Sequence, residues 1–154
     1  MHVGDLRWGE VVAMAGGALL VLAVFLPWYS TGNANSSIGG HQHVADQDYS
    51  AWQVLPVWRL LILLAAIAPF ILGWIIIREH ALSWPRGELT AVIGLTALAL
   101  ILVKGFIFKP GEPTGQISLT LGYFLALVAS ILILVGAFVR STEIAKARKP
   151  PGVM

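Results

Sequence analysis

The chain has 154 residues, of which 57% are hydrophobic and only 12% charged, with a formal net charge of +2 and no cysteine. Its mean hydropathy is +0.79. Soluble domains carry about 25% charged residues, and a chain this short has no interior large enough to hide so much apolar surface, so lipid is the expected solvent. The small charge argues against a nucleic-acid partner, and the missing cysteine excludes disulfides, thiolate metal sites and a cysteine nucleophile.

The first apolar stretch covers residues 10–29. It is close to the ~20 residues that cross ~30 Å of hydrocarbon. The preceding MHVGDLRWGE holds Asp5 and Glu10 beside a single Arg7, and no A-x-A-like cleavage site follows Trp28, so an uncleaved span is expected and not a signal peptide. The span ends in FLPWYS, residues 25–30, where Pro27 ends or kinks the helix and Trp28 and Tyr29 are expected at headgroup level. Small residues Gly9, Ala13 and Gly17 recur every fourth position, a row that lets helix backbones approach closely.

An outer loop over residues 30–55 follows, free of lysine and arginine. It contains His41, His43, Asp46 and Asp48, which could ligate Zn²⁺ or Cu²⁺, although their spacing fits no closed structural site and a solvated polar loop is the plainer reading. The neighbouring SSIGG reads as a flexible strand or turn. Ser50-x-x-Gln53 has the form of a capping box and predicts a short helical lead-in to the second span, which puts Trp52 beside the interface. That span covers residues 56–77, with Ala65 and Gly73 eight apart and Pro69 midway.

The third span, residues 89–108, repeats a phrase of the first: GEVVAMAG at residues 9–16 and GELTAVIG at residues 87–94, an offset of 78. Leu20/Leu98 and Leu22/Leu100 extend the match, while the second and fourth spans agree only at Ala66/Ala129 and Gly73/Gly136. Two duplicated helical hairpins, parallel about an axis along the membrane normal, would produce this pattern; shared composition is the competing explanation. Glu10 and Glu88 hold equivalent places at the starts of these spans, where the helix dipole favours a carboxylate. They could alternatively form a paired proton or cation site. Lys104, near the far end of the third span, is either an intramembrane functional charge or a lysine snorkelling to headgroups past Gly105. Arg59 poses the same choice at the start of the second span.

The fourth span, residues 117–139, carries a further small-residue row, Gly122, Ala126 and Ser130. Residues 1–139 thus form one transmembrane domain and residues 140–154 a basic cytoplasmic tail attracted to anionic lipid. With both termini inside, the cytoplasmic side holds Arg7, Arg78, Arg86, Arg140, Lys146, Arg148 and Lys149, against Arg59, Lys104 and Lys109 outside. This is the positive-inside bias. The tryptophans agree, with Trp28, Trp52 and Trp58 at the outer boundary and Trp8, Trp74 and Trp84 at the inner one.

FLPWYS followed by SAWQVL, residues 50–55, resembles the first hairpin of small four-helix bacterial membrane proteins. The resemblance covers about residues 9–77 and implies a bacterial inner-membrane location and nothing catalytic. The expected protein is therefore an all-α, multi-pass protein of the cell membrane, a four-helix bundle with cytoplasmic termini. It is read as non-enzymatic, without cofactor, and acting by association with other membrane subunits or with itself as an accessory or scaffold. The alternative is a small oligomeric transporter or channel with Lys104, Glu10 or Glu88 in its pathway.

Overall fold

The computed structural model describes residues 7–41, 45–78 and 86–147, with side chains at 86 and 144–147 outside the description. Four helices are long and apolar enough to cross a membrane: Trp8–Phe25, Trp58–Ile77, Gly87–Ile107 and Leu121–Glu143. The chain is mostly helical, but it is not all-α. One end of the bundle is closed by a three-stranded antiparallel sheet.

Helix α1, Trp8–Phe25, stops where the sequence requires it to stop. A residue before proline avoids the helical region, and Leu26 accordingly lies at φ −79°, ψ 158°. Strand β1, Pro27–Thr31, follows directly, its Trp-Tyr-Ser-Thr run rich in residues that favour a pleated surface. It is the central strand. β2, Gln47–Ser50, pairs on one side and β3, Ile117–Leu119, on the other, with Tyr29 opposite Tyr49 and Leu119. Between β1 and β2 the chain makes a tight turn at Gly39 and Gly40, whose φ values of +55° and +88° suit a two-residue hairpin. The flanking Ile38 and His41 exchange backbone hydrogen bonds of 2.9 and 2.8 Å.

The lead-in to the second span is the one expected. α2, Ala51–Val54, is a single turn in which the Gln53 side chain accepts the Ser50 backbone N–H at 3.0 Å. α3, Trp58–Ile77, carries Pro69 in its interior. α4, Arg86–Leu102, continues into a π-helical turn, Val103–Ile107. A 3₁₀ turn, Thr114–Gln116, leads into β3 and then α5, Leu121–Ala147. The division expected at residue 139/140 falls inside α5, so the described part of the tail continues the bundle.

Around the bundle α1 touches α3, α3 touches α4, α4 touches α5 and α5 returns to α1, the last contact being the most extensive. The small-residue rows make this closeness possible. A Cβ added at Gly9 would meet the Gly136 carbonyl, one at Gly136 the Gly9 carbonyl, and one at Gly17 the Ala66 carbonyl. Ala13, Ala126 and Ser130 are buried, and Gly122 lies against Leu26 and Pro27. Both rows are spent on contacts within the chain. The repeated Gly-Glu phrases share a target too: Gly9 packs on Gly136 and Arg140, and Gly87 on Ala137 and Ser141, so both grip α5. Exact twofold symmetry would instead send Gly87 to α3.

The core runs without a break from Leu20, Ile62, Ile101 and Ile133 in the bundle to Trp28, Tyr29, Ile38, Leu55 and Ile117 in the collar, the sheet together with the segments that connect its strands and α2. The collar is stitched to α5 by Thr120, whose N–H donates to the Trp28 carbonyl at 2.9 Å and whose hydroxyl donates to that of Pro27 at 2.6 Å.

Candidate functional site

Three constellations gather the polar side chains that a buried, apolar bundle would otherwise exclude. The first lies at the end that carries the chain termini. Glu10, in the first turn of α1, forms an ion pair with Arg140 of α5, the two side chains 8% and 10% exposed. The other Glu10 oxygen accepts the Arg7 N–H at 3.1 Å, closing the first turn of its own helix. Beside the pair is a cavity of about 10 Å³ lined by Glu10, Arg140, Thr90, Pro69, Gly73 and neighbouring apolar residues. That volume admits about one water molecule. A charge pair in such a place is held by mutual attraction that has to offset the desolvation of both ions.

Glu88 does not join it. Its side chain is exposed whereas Glu10 is buried, so the alternative reading of a paired-carboxylate site gains no support from their placement. Glu10's partner is a cation that sequence reading had assigned to the tail. The pattern did hold a signal: Ala126, Ile133, Gly136 and Arg140 share helical spacing, so Arg140 falls on the α5 face that α1 covers.

The second constellation is at the sheet end, where α3 begins and α4 ends. Lys104 is half-buried with its Nζ 4.5 Å from the ring centroid of Trp58. Arg59 lies 4.3 Å from the Trp52 centroid and donates to the Trp52 carbonyl at 2.6 Å. Phe25 packs on the same indole at 5.3 Å. Cations on indole faces are attracted by the ring quadrupole, and more strongly out of water.

The third is aromatic. Trp28 and Tyr29, expected among the headgroups, are fully buried in protein because β1 turns back over the bundle end. Trp28 Nε1 donates to the Ala23 carbonyl at 2.7 Å, and the Tyr29 hydroxyl donates to the Lys104 carbonyl at 3.2 Å. Both bonds serve carbonyls near helix ends, where intrahelical donors run out. Burial raises the Tyr29 phenol well above its ordinary pKa, with Tyr123 adding to the effect. Gly105 makes room here, though not for the Lys104 stem: an added Cβ would strike the Tyr123 ring. Tyr123 also meets Trp28 edge-on at 5.7 Å.

The remaining expected residues are scattered. Trp8 and Trp74 are exposed at the termini end, Arg78 lies over the Trp74 ring at 4.8 Å, and Trp84 is outside the described residues. His41 stacks on Tyr49 at 5.2 Å, while Asp46 and Asp48 are exposed and His43 is outside the described residues. Among the described residues no three His, Asp or Glu side chains converge as a metal site would require. Comparison with known protein families, curated proteins and solved structures finds no match for this chain.

Proposed function

We propose that the chain crosses a membrane four times with both termini cytoplasmic, and that it acts without catalysis, as an accessory or scaffold subunit recognised through its outer collar. The orientation rests on the lysine and arginine distribution. The functional reading rests on one contrast, between a dry bundle and an ordered polar head. Among the described residues, the buried polar side chains of the spans are Glu10, Thr90, Ser130 and Arg140. Three of them gather at the termini end beside a one-water cavity, and Ser130 is satisfied within its own helix by the Leu127 carbonyl at 2.8 Å. Among the described residues, Ser130 is the one buried polar side chain of the spans away from that end.

The collar, by contrast, is more elaborate than closing four helices requires. Its two outer segments are cross-linked by reciprocal Ser37–Glu112 backbone bonds of 2.9 Å and by Ser36 Oγ donating to Gln116 Oε1 at 3.2 Å. They present an open polar depression lined by Asn35, Ser37, Glu112, Pro113 and Thr114. Rigid extramembrane surface of this kind suits protein recognition, since little ordering entropy is lost on binding. The duplication of two hairpins remains a reading of the sequence; Gly9 and Gly87 both pack on α5, which exact twofold symmetry would not produce.

Co-purification in native nanodiscs with mass spectrometry tests this reading. A second subunit or a second copy should accompany the chain, and Asn35→Arg with Thr114→Arg should release it while the fold persists. Recovery as a lone monomer, together with ion flux in liposomes that Lys104→Leu or Glu88→Gln abolishes, would favour a transporter instead.

A further inference from the structure

Charge is distributed unevenly at the sheet end. Its cations are turned onto protein: Arg59 and Lys104 each lie on an indole face, and Lys109 donates to the Ile117 carbonyl at 3.1 Å. Its carboxylates are not. Asp46, Asp48 and Glu112 are exposed, and among the described residues none of the three has an ion pair or a side-chain hydrogen bond. Glu112 is the charged residue among those lining the open polar depression, with Asn35, Ser37, Pro113 and Thr114. Its backbone is fixed there by the two bonds to Ser37. That approach requires the neighbouring glycine, since Gly111 lies at φ +135° and an added Cβ would strike the Ser37 carbonyl and Ile117. The neutral groups of the lining have acceptor capacity to spare. Ser37 Oγ donates to the Glu112 carbonyl at 3.4 Å, which leaves its lone pairs free to accept, and the Asn35 and Thr114 side chains have no partner among the described residues.

We propose that this depression receives a lysine or arginine side chain from an extramembrane segment of a partner subunit, with the Glu112 carboxylate as its counter-charge. The inference deepens the scaffold reading and rests on it. A cation entering the depression meets one full negative charge and several neutral oxygens, and its methylene stem can lie along Pro113. The charge pattern also selects against other occupants. A second copy facing collar to collar would set exposed carboxylates against exposed carboxylates, because the cations of this end are already engaged, and like charges in apposition are repelled. An anionic headgroup meets the same repulsion. A metal ion is poorly served, since among the described residues no three His, Asp or Glu side chains converge.

The test uses the full chain in phosphatidylcholine nanodiscs, with fluorescently labelled tetralysine as the probe and binding read by anisotropy. The wild type should bind tetralysine and ignore tetraglutamate. An ion pair at a partly open site is worth about fivefold in affinity, so Glu112→Gln should weaken tetralysine binding by about that factor, and Glu112→Asp should keep most of it. Thr114→Lys, at an exposed position, should abolish the preference and serves if Glu112→Gln does not fold. Equal affinity of wild type and Glu112→Gln would overturn the site. So would an equal loss in Asp46→Asn with Asp48→Asn, which would place the binding on the β2 edge. Co-purification of the same variants separates this inference from the scaffold reading. A companion subunit retained equally by wild type and Glu112→Gln removes the cation site alone. Recovery of a lone monomer that still binds tetralysine through Glu112 removes the scaffold reading and upholds the site.

Discussion

Arg140 on the last helix is ion-paired with Glu10 on the first, and both side chains are about nine-tenths buried. The pair joins the two helices that share the most extensive contact in the bundle, where the facing glycines Gly9 and Gly136 bring the backbones together. Removing one member strands a charge in an apolar setting, which costs about 3–5 kcal/mol, whereas removing both is far cheaper. Glu10→Gln and Arg140→Gln should therefore each lower stability strongly. The double variant should be more stable than either single one. Denaturant titration in detergent followed by circular dichroism, read as a double-mutant cycle, measures the coupling. Strictly additive losses would mean that the two residues act independently.

Gly105 and Tyr123 set the geometry at the other end. The π-helical turn brings the Gly105 backbone against the Tyr123 ring, leaving no space for a methyl group. Overpacking of this kind typically costs about 1–3 kcal/mol. Gly105→Ala should destabilise by that amount, and Tyr123→Leu in the same chain should recover part of it by vacating the space. Melting temperatures of the two variants against wild type would decide the point. A Gly105→Ala chain as stable as wild type would mean the turn readjusts at no cost.

The four helices were legible because ~20-residue apolar runs have few alternatives, and the Ser50–Gln53 box was legible because both partners lie within four residues. The collar was hidden by the same hydropathy that revealed the spans. Trp28 and Tyr29 continue the apolar run of α1, and Ile117–Leu119 precede α5 with only the small hydroxyls of Ser118 and Thr120 between the apolar residues, so each strand read as the end of a helix. Periodicity cannot separate a short apolar strand from a buried helical turn. What makes them strands is a pairing of Tyr29 with Leu119, far apart in sequence. The buried ion pair was hidden for a related reason. Arg140 looks like a flanking charge until α1 is known to lie across it.

Because the chain contains no cysteine, its sidedness is open to direct measurement. Asn35 lies on the collar depression, and Thr142 is exposed near the opposite end of α5. In intact cells, Asn35→Cys should react with a membrane-impermeant maleimide, and Thr142→Cys should react only after lysis. The reverse pattern would invert the proposed orientation, and reaction of both in intact cells would deny a membrane barrier between the two ends.

Tyr29 supplies a prediction in pH. Its ring is fully buried and its hydroxyl donates to the Lys104 carbonyl at 3.2 Å, so ionisation would place a bare anionic oxygen out of water and against another oxygen. Burial therefore raises its pKa in the folded chain above the unfolded value of about 10. The folded state then holds the proton more tightly than the unfolded state does. That contribution to stability is fully present below about pH 10 and is lost as pH rises toward the folded value, because only the unfolded chain releases the proton. Tyr29→Phe should begin about 1 kcal/mol less stable at neutral pH, having lost the hydrogen bond to Lys104. It should then lose less stability than wild type between about pH 9 and about pH 11. Unfolding midpoints across that range compare the two slopes. Parallel curves, or equal phenolate absorbance per tyrosine in the folded and unfolded chain at about pH 10, would show that Tyr29 titrates freely and that the collar does not seal it from water.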